Sequence, residues 1–326
     1  MSEQPPQAPN QDADEAPELL THESADEPAG PENHRCGFAA IVGRPNVGKS
    51  TLLNALLHRK VSIVSPKPQT TRHRILGILT RPQEQIIFVD TPGIHSSARR
   101  AMNRHMNRAA LASLQDADVN VFVVESLRWT DEDQRVLDAL LEQKRPIILV
   151  LSKVDRVTPR ERLLPFIDEM SRRAEFVEVV PLSALKKSNL EELPSIIARY
   201  LPLSPPHFPP DQVTDRSREF QAAEIVREKL TLRLRQELPY GLTVSIEQFK
   251  QEGERLLINA VIWVERTGQK AIVIGQGGEQ LKEVGRAARL EMASLFGQPV
   301  HLELWVKVKE NWSDNELALK QLGYET

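Results

Sequence analysis

The stretch GRPNVGKST, residues 43–51, constrains the fold more than any other. It directly follows an apolar run, GFAAIVG, and opens an amphipathic one, KSTLLNALLH. A G-x-x-x-x-G-K-[ST] loop works where a buried strand feeds a helix, because its backbone N–H groups must converge on one anion at the helix N-terminus. Gly43 and Gly48 let the backbone turn inward, and Arg44, Pro45, Asn46 and Val47 form the loop between them. Lys49 brings a charge for β- and γ-phosphates, Ser50 brings a hydroxyl for Mg²⁺, and Thr51 closes the motif.

The rest of the first half agrees with that demand. QIIFVD, DVNVFVVE, RPIILVLS and FVEVVPLS read as buried strands rich in Val and Ile. Between them RAALASLQ, DEDQRVLDALLEQ, RERLLPFIDEMSRR and NLEELPSIIARYL carry apolar residues at helical spacing. Alternation of this kind predicts an α/β domain, a mostly parallel sheet covered on both faces, over residues 35–200. HRILGILT is expected to pair as an antiparallel edge strand.

The pattern stops at LPLSPPHFPPDQ, whose five prolines break helix and strand alike. A semi-rigid linker is placed at 201–213. Residues 214–326 follow a different order: a long amphipathic helix from residue 217, a hairpin (LTVSIEQFKQ, ERLLINAVIWVE), a short helix, GQGG, a longer helix, and a last strand, PVHLELWVKVK, before a short tail. The order αββααβ predicts a compact α+β domain.

Three further motifs succeed the phosphate loop. Asp90 ends a strand in DTPG, where its carboxylate can hold Mg²⁺ through water; Thr91 and Pro92 lead to Gly93, whose N–H can sense a γ-phosphate. Ile94 follows, where some nucleotide hydrolases place a glutamine to orient water, and it has no polar atom for that task. Ser152, Lys153, Val154 and Asp155 end another strand. The Asp155 carboxylate can accept the N1 and N2 protons of guanine, which adenine does not offer together, and the Lys153 stem can lie on the base. Ser183, Ala184 and Leu185 stand where a loop offers a backbone N–H to guanine O6. The ordered series points to GTP rather than ATP.

Gly275, Gln276, Gly277 and Gly278 lie between two helices, where a G-x-x-G loop admits an RNA backbone. The second domain is net −1, so binding must rely on a local face: Lys270, Lys282, Arg286 and Arg289, with Lys307 and Lys309 as further candidates. A second basic cluster, Arg99, Arg100, Arg104 and Arg108 with His95 and His105, reads either as a solvated helix face or as a surface that meets RNA.

Composition sets outer limits. Residues 1–34 hold nine acidic residues and no Lys or Arg, which predicts a disordered tail and excludes a signal or transit peptide. The remainder is about +6, permissive for nucleic acid without arguing for it. One cysteine, Cys36, excludes an intramolecular disulfide and a Cys-based zinc site.

The series GRPNVGKS, QTTRHR, DTPG, SKVD and SAL, joined to LPYGLTVSIEQF, VIGQGGEQLKEVGRAARLEM and VHLELWVKVKENW, resembles the Era family of bacterial ribosome-assembly GTPases, of the TrmE-Era group. The resemblance spans residues 36–326 and omits the acidic tail. It implies a P-loop GTPase domain followed by a type II KH domain. It further implies slow GTP hydrolysis to GDP and phosphate with Mg²⁺, binding of 16S rRNA near its 3′ end, and a role in 30S assembly. A cytoplasmic location, with peripheral contact at the inner face of the cell membrane, belongs to the same expectation. Within QTTRHR, Thr71 matches the residue that closes on Mg²⁺ and the γ-phosphate, with Thr70 as fallback. Lys49, Thr71, Gly93 and Asn46 are then the catalytic set, Asn46 because an Asn there helps related GTPases hold K⁺. One departure stands out: the base motif begins with Ser152 where the family has Asn, so both loop bracing and base contact are expected to weaken. The competing readings are a metabolic enzyme using GTP for phosphoryl transfer and an RNA-binding protein whose nucleotide domain binds GTP but turns over negligibly. The first lacks an acceptor motif, and intact Lys49, Ser50 and Asp90 oppose the second.

Overall fold

The computed structural model describes residues 33–93, 100–234 and 238–324. The acidic segment up to residue 32, and the candidates Ile94, His95 and Arg99, lie outside the described residues.

The first half forms a six-stranded sheet: β1 (Arg35–Val42), β2 (Ile75–Arg81), β3 (Glu84–Asp90), β4 (Val119–Glu125), β5 (Ile147–Ser152) and β6 (Glu178–Pro181), in the order β2-β3-β1-β4-β5-β6. The β2 strand pairs antiparallel with β3 and the others run parallel. The buried runs explain this, since both faces are covered. Leu52, Leu53, Leu193 and Ile197, from α1 (Lys49–Leu56) and α5 (Leu193–Ala198), pack on one face. Val136, Leu137, Phe166 and Met170, from α3 (Asp131–Glu142) and α4 (Leu163–Ser171), pack on the other. The start of α3 is a capping box: Thr130 accepts from the Asp133 N–H, and the Asp133 carboxylate accepts from the Thr130 N–H.

α2 spans Ala101–Gln115, a turn and more beyond the helix expected from RAALASLQ. The extra length follows from burial: Ala101, Met102 and Met106 form a small core with Trp312, Leu319 and Tyr324 from the chain's end. That end, expected as a tail, instead carries α9 (Glu316–Gln321), capped by Asn315.

The second sheet has the order β7-β8-β9, with β7 (Leu242–Glu252) antiparallel to β8 (Arg255–Val264) and β9 (Val300–Val308) parallel to it. α6 (Arg218–Arg233), α7 (Thr267–Ile274) and α8 (Glu279–Phe296) cover one face through Val226, Leu230, Val273, Val284, Ala288 and Met292. The long helix expected from residue 217 thus ends at Arg233.

The proline-rich segment is bolted to the first sheet rather than free. Buried Gln85 accepts from the His207 and Phe208 N–H groups at 2.8 and 2.9 Å and donates to the Phe208 carbonyl at 2.8 Å. Ile78 N–H donates to the Val213 carbonyl at 2.8 Å. The prolines on either side bring no backbone donor, and the two N–H groups between them and one carbonyl are satisfied by a single buried glutamine.

Candidate functional site

The phosphate loop joins β1 to α1, and its geometry is set by three left-handed positions: Gly43 (φ 152°), Asn46 (φ 64°) and Gly48 (φ 110°). At Gly43 a Cβ would sit 2.4 Å from the Val123 carbonyl oxygen, so no side chain fits. The Lys49 ammonium, only 7% exposed, donates to the Gly43 and Arg44 carbonyls at 2.8 and 3.0 Å, which stations it inside the loop. Burial lowers its pKa to about 8, and Asp90 works against that shift. Arg44 turns away from the loop, donating to Glu125 at 3.0 Å and to the capping carboxylate of Asp133 at 3.1 Å.

Asp90, at the end of β3, gathers three hydroxyls. Ser50 and Ser62 each donate to its Oδ2 at 2.8 Å, and Thr71 lies 3.5 Å away. The Ser50 and Thr71 oxygens are 2.9 Å apart. Thr70 points elsewhere, bonded to Ser65 and the Lys67 carbonyl at 2.6 Å. Burial raises the Asp90 pKa against the pull of Lys49, and its Oδ1 is buried without a hydrogen-bond partner. An orphaned carboxylate oxygen beside two hydroxyls is a hard-oxygen set suited to Mg²⁺, which takes one carboxylate and completes its shell with phosphate and water. Among the described residues no cluster of three His, Cys, Asp or Glu side chains could hold a metal.

Gly93 packs against the loop: a Cβ there would lie 3.0 Å from the Pro45 ring. Thr91 anchors to the Ile41 carbonyl at 3.2 Å, tying the DTPG segment to β1. Motifs separated by some forty residues meet because β1 and β3 are parallel neighbours whose C-terminal ends coincide.

On the other side of the loop, Lys153 donates to the Asn46 carbonyl at 2.8 Å and pairs with Glu125 at 3.2 Å. Burial raises the Glu125 pKa, but Lys153 and Arg44 outweigh it and hold the carboxyl below its ordinary value. Ser152 is buried, its Oγ 2.7 Å from the Val47 carbonyl and 3.1 Å from that of Val124. One hydroxyl proton serves one carbonyl at a time, and the shorter contact is to the loop. A loop brace is thus made by Ser152, through one hydroxyl bond. Ser183 donates to Asp155 at 2.5 Å and accepts from the Lys186 N–H at 3.1 Å. Val154 is buried beneath, and its N–H donates to the Leu182 carbonyl at 3.3 Å; Ala184 is half-buried and Leu185 exposed.

Sequence reasoning missed Ser62, Glu125, Asp133 and the partnership of Ser183 with Asp155. Glu125 had a readable signal, an acid at the C-terminal end of a buried strand; Ser62 had none.

A cavity of about 1000 Å³ runs from Lys153 and Asn46 past Ser50 to Thr71 and Gly93, and Leu232 of α6 closes part of its wall; Asp155 and Ser183–Leu185 lie outside its lining. The segment before Thr71 is held by the second domain. Val64 N–H donates to Glu228 at 2.9 Å, Lys60 donates to Glu228 at 2.6 Å, and Lys67 donates to the Leu234 carbonyl.

The G-x-x-G loop joins α7 to α8, with Gly275, Gly277 and Gly278 at φ 75°, 59° and 79°. Space above Gly277 and Gly278 is open to 4 Å, whereas a Cβ on Gly275 would meet Gln280 at 2.7 Å. Gln276, Lys282, Arg286 and Arg289 are exposed and Lys270 half-buried. Ile272 and Leu290, 56% and 54% exposed on the same two helices, add apolar surface that the motif reading did not include. Lys307 and Lys309 need correcting. Leu302, Leu304 and Val306 turn toward α8, so alternation puts Lys307 on the opposite face of the sheet, where both lysines lie over the Trp263 ring at 5.7 and 6.0 Å. His105 is likewise no part of a solvated face. It is buried against Tyr324, and burial, then Arg108, lower its pKa.

Comparison with known proteins agrees with this geometry. Residues 38–153 match the family model described as 50S ribosome-binding GTPase, and residues 237–313 match that of the KH domain. GTPase Era of Marinobacter nauticus is 55% identical over 296 residues, 91% of this chain and 97% of that protein. GTPase Era of Pseudomonas aeruginosa is 52% identical over 294 residues, covering 90% and 96%. Among solved structures, Era in complex with MgGDPNP and nucleotides 1506–1542 of 16S ribosomal RNA aligns with a TM-score of 0.87 at 42% identity, covering 90% of this chain and all of that one. Aquifex aeolicus Era bound to GDP and AlF4⁻ aligns equally well. With a strand–loop–helix of the G-x-x-x-x-G-K-[ST] type and a G-x-x-G module in one chain, and relatives matched nearly end to end, this protein belongs to the Era family of GTPases.

Proposed function

We propose that the protein is a GTP-controlled switch that binds 16S rRNA near its 3′ end and assists assembly of the 30S subunit. The observation that carries this reading is the likeness, over 90% of the chain, to an Era structure holding both MgGDPNP and that RNA segment. In this reading Gly43–Thr51 cradle the phosphates, Gly93 senses the third, and Ser152–Asp155 with Ser183–Leu185 enclose the base. Ser50, Thr71 and Asp90 would hold Mg²⁺, which when bound neutralises charge on the β- and γ-phosphates. Lys49, already inside the loop, adds a second positive charge there. Thr71 links the two halves: it stands within a segment anchored to Glu228 and Leu234 of the second domain, so nucleotide state and the RNA module share one mechanical element.

RNA contact falls to Gly275–Gly278, Lys270, Lys282, Arg286 and Arg289, with Ile272 and Leu290 as apolar surface for bases. A cytoplasmic location with peripheral contact at the inner membrane face completes the reading. Among the described residues no helix is long and apolar enough to cross a membrane. Crosslinking the GTP-loaded protein to immature 30S particles tests the whole: contacts should map to the 3′ end of 16S rRNA, and their absence would refute it.

Asn46 extends the proposal to K⁺. Its backbone is left-handed and its exposed side chain lines the cavity, where an amide oxygen could share a K⁺ ion with the phosphates. Turnover is expected to be several-fold faster in K⁺ than in Na⁺, and Asn46→Ala should remove the difference. Equal rates in the two salts would sink the idea.

A further inference from the structure

A basic seam lies between the two domains, apart from both the nucleotide cavity and the G-x-x-G loop. Two neighbouring cavities, of about 550 and 340 Å³, meet there and share His105 and Arg108. Arg74, Arg108 and Arg216 line the larger, and Lys320 extends the charge into the smaller. These cations come from β2's approach, α2, the strap before α6, and α9, so no local motif contains them. The nearby carboxylates are already engaged: Asp116 with Arg74 at 3.5 Å, Asp215 with Arg216 at 3.6 Å, and Glu316 with Arg104 at 3.8 Å. Among the described residues, Arg108 and Lys320 pair with none of them.

The floor is of another character. Ala109, Ala112 and Gly323 leave room, and the His73 ring, one face stacked on Tyr324 at 4.5 Å and 16° and packed at right angles to Phe220 at 5.1 Å, lines the cavity as an aromatic edge. Burial drops the His73 pKa to about 3 and lowers that of His105, so at neutral pH the imidazoles are uncharged and the arginines carry the charge. An uncharged aromatic and small-residue lining plus a guanidinium rim is the chemistry that receives a nucleotide, base against the lining and phosphate on arginine. The larger volume is within the range of small-ligand sites, about 300–1,000 Å³.

We infer that this seam is a second RNA site, seating one phosphate-bearing nucleotide of a single strand between the domains. Phosphate meets Arg74, Arg108 and Arg216, and the base lies against His73 and the small residues of α2. Arg216 also donates to the Arg74 carbonyl, three residues beyond Thr71, so a strand held here touches the segment that carries the metal-site threonine. The inference rests on the reading that the protein binds RNA, and it extends that binding beyond the KH groove.

The test uses the full chain, saturated with GMPPNP, and a labelled RNA of nucleotides 1506–1542 of 16S rRNA. Arg108 is exposed and bonds no described neighbour, so Arg108→Gln leaves the fold intact. It should raise Kd about three- to tenfold and lower the slope of log K against log salt by about 0.7, the share of one single-strand phosphate. Arg108→Lys should restore the slope. Unchanged affinity and slope in Arg108→Gln would overturn the site. So would shifts of the Ala109 and Ala112 methyl resonances on adding CMP with RNA affinity unaltered, since the occupant would then be a free nucleotide. The Gly277→Asp, Gly278→Asp double variant, run alongside, reports on the KH groove alone and keeps the two readings separable.

Discussion

Asp155→Asn is expected to move the base preference from guanine to xanthine. The carboxylate is held in place by Ser183, which donates to Oδ1 at 2.5 Å and leaves acceptor lone pairs on both oxygens for the base edge. Guanine offers two donors at N1 and N2, and an ionised carboxylate is acceptor-only, so the match is complete. In the variant the amide oxygen can keep the Ser183 bond, which turns the NH₂ group toward the base. That donor then faces the guanine 2-amino group, and each buried unpaired polar group costs about 1–3 kcal/mol. GTP affinity should fall about 100-fold, and XTP, with an oxygen at position 2, should gain by a similar factor. Competition titration of GTP and XTP against a labelled nucleotide reads the ratio directly. No swing toward XTP would mean that Asp155 does not select the base.

Replacing both Gly277 and Gly278 by Asp should cut binding to a 3′-terminal 16S oligonucleotide by at least about 100-fold while sparing GTP hydrolysis. The two positions have φ of 59° and 79°, where an L-residue costs about 1–2 kcal/mol, and Asp tolerates this region better than most. No atom lies within 4 Å of the added Cβ atoms, so the loop can hold the new side chains without a clash. What changes is the ligand side: two carboxylates occupy the approach of the RNA backbone. The nucleotide cavity is lined from the first domain and from α6, not from this loop, so turnover should match wild type. Undiminished RNA binding with native circular dichroism would remove the loop from the interface.

Much of the site was legible because its pieces are local. The loop from Gly43 to Thr51, the DTPG turn and the Ser152–Asp155 segment each sit at the C-terminal end of a strand, and strand runs announce themselves by Val and Ile. Ser62 was not legible. Its bond to Asp90 depends on how the chain after α1 folds back, and an isolated serine carries no period or spacing that would mark it. The Ser152 contact was not legible either: that a short side chain on β5 reaches the Val47 carbonyl follows from how close the phosphate loop lies to the end of that strand. Lys307 was misplaced because a charge sum ignores which face of a strand each residue occupies.

The sequence alone determined the strand–loop–helix of the G-x-x-x-x-G-K-[ST] motif, the strand end that carries Asp155, and the G-x-x-G module, since each of these needs only a few consecutive residues in one backbone conformation. Tertiary structure alone decided how the two halves meet. Helix α2 extends back to Ala101 because Trp312 and Tyr324, some two hundred residues onward, cover its apolar side. Glu228 grips the segment leading to Thr71, and Arg74, Arg108, Arg216 and Lys320 converge on one seam. Such contacts join side chains from unrelated elements, and their energies arise from burial and charge proximity, which no stretch of sequence contains until the chain has closed on itself.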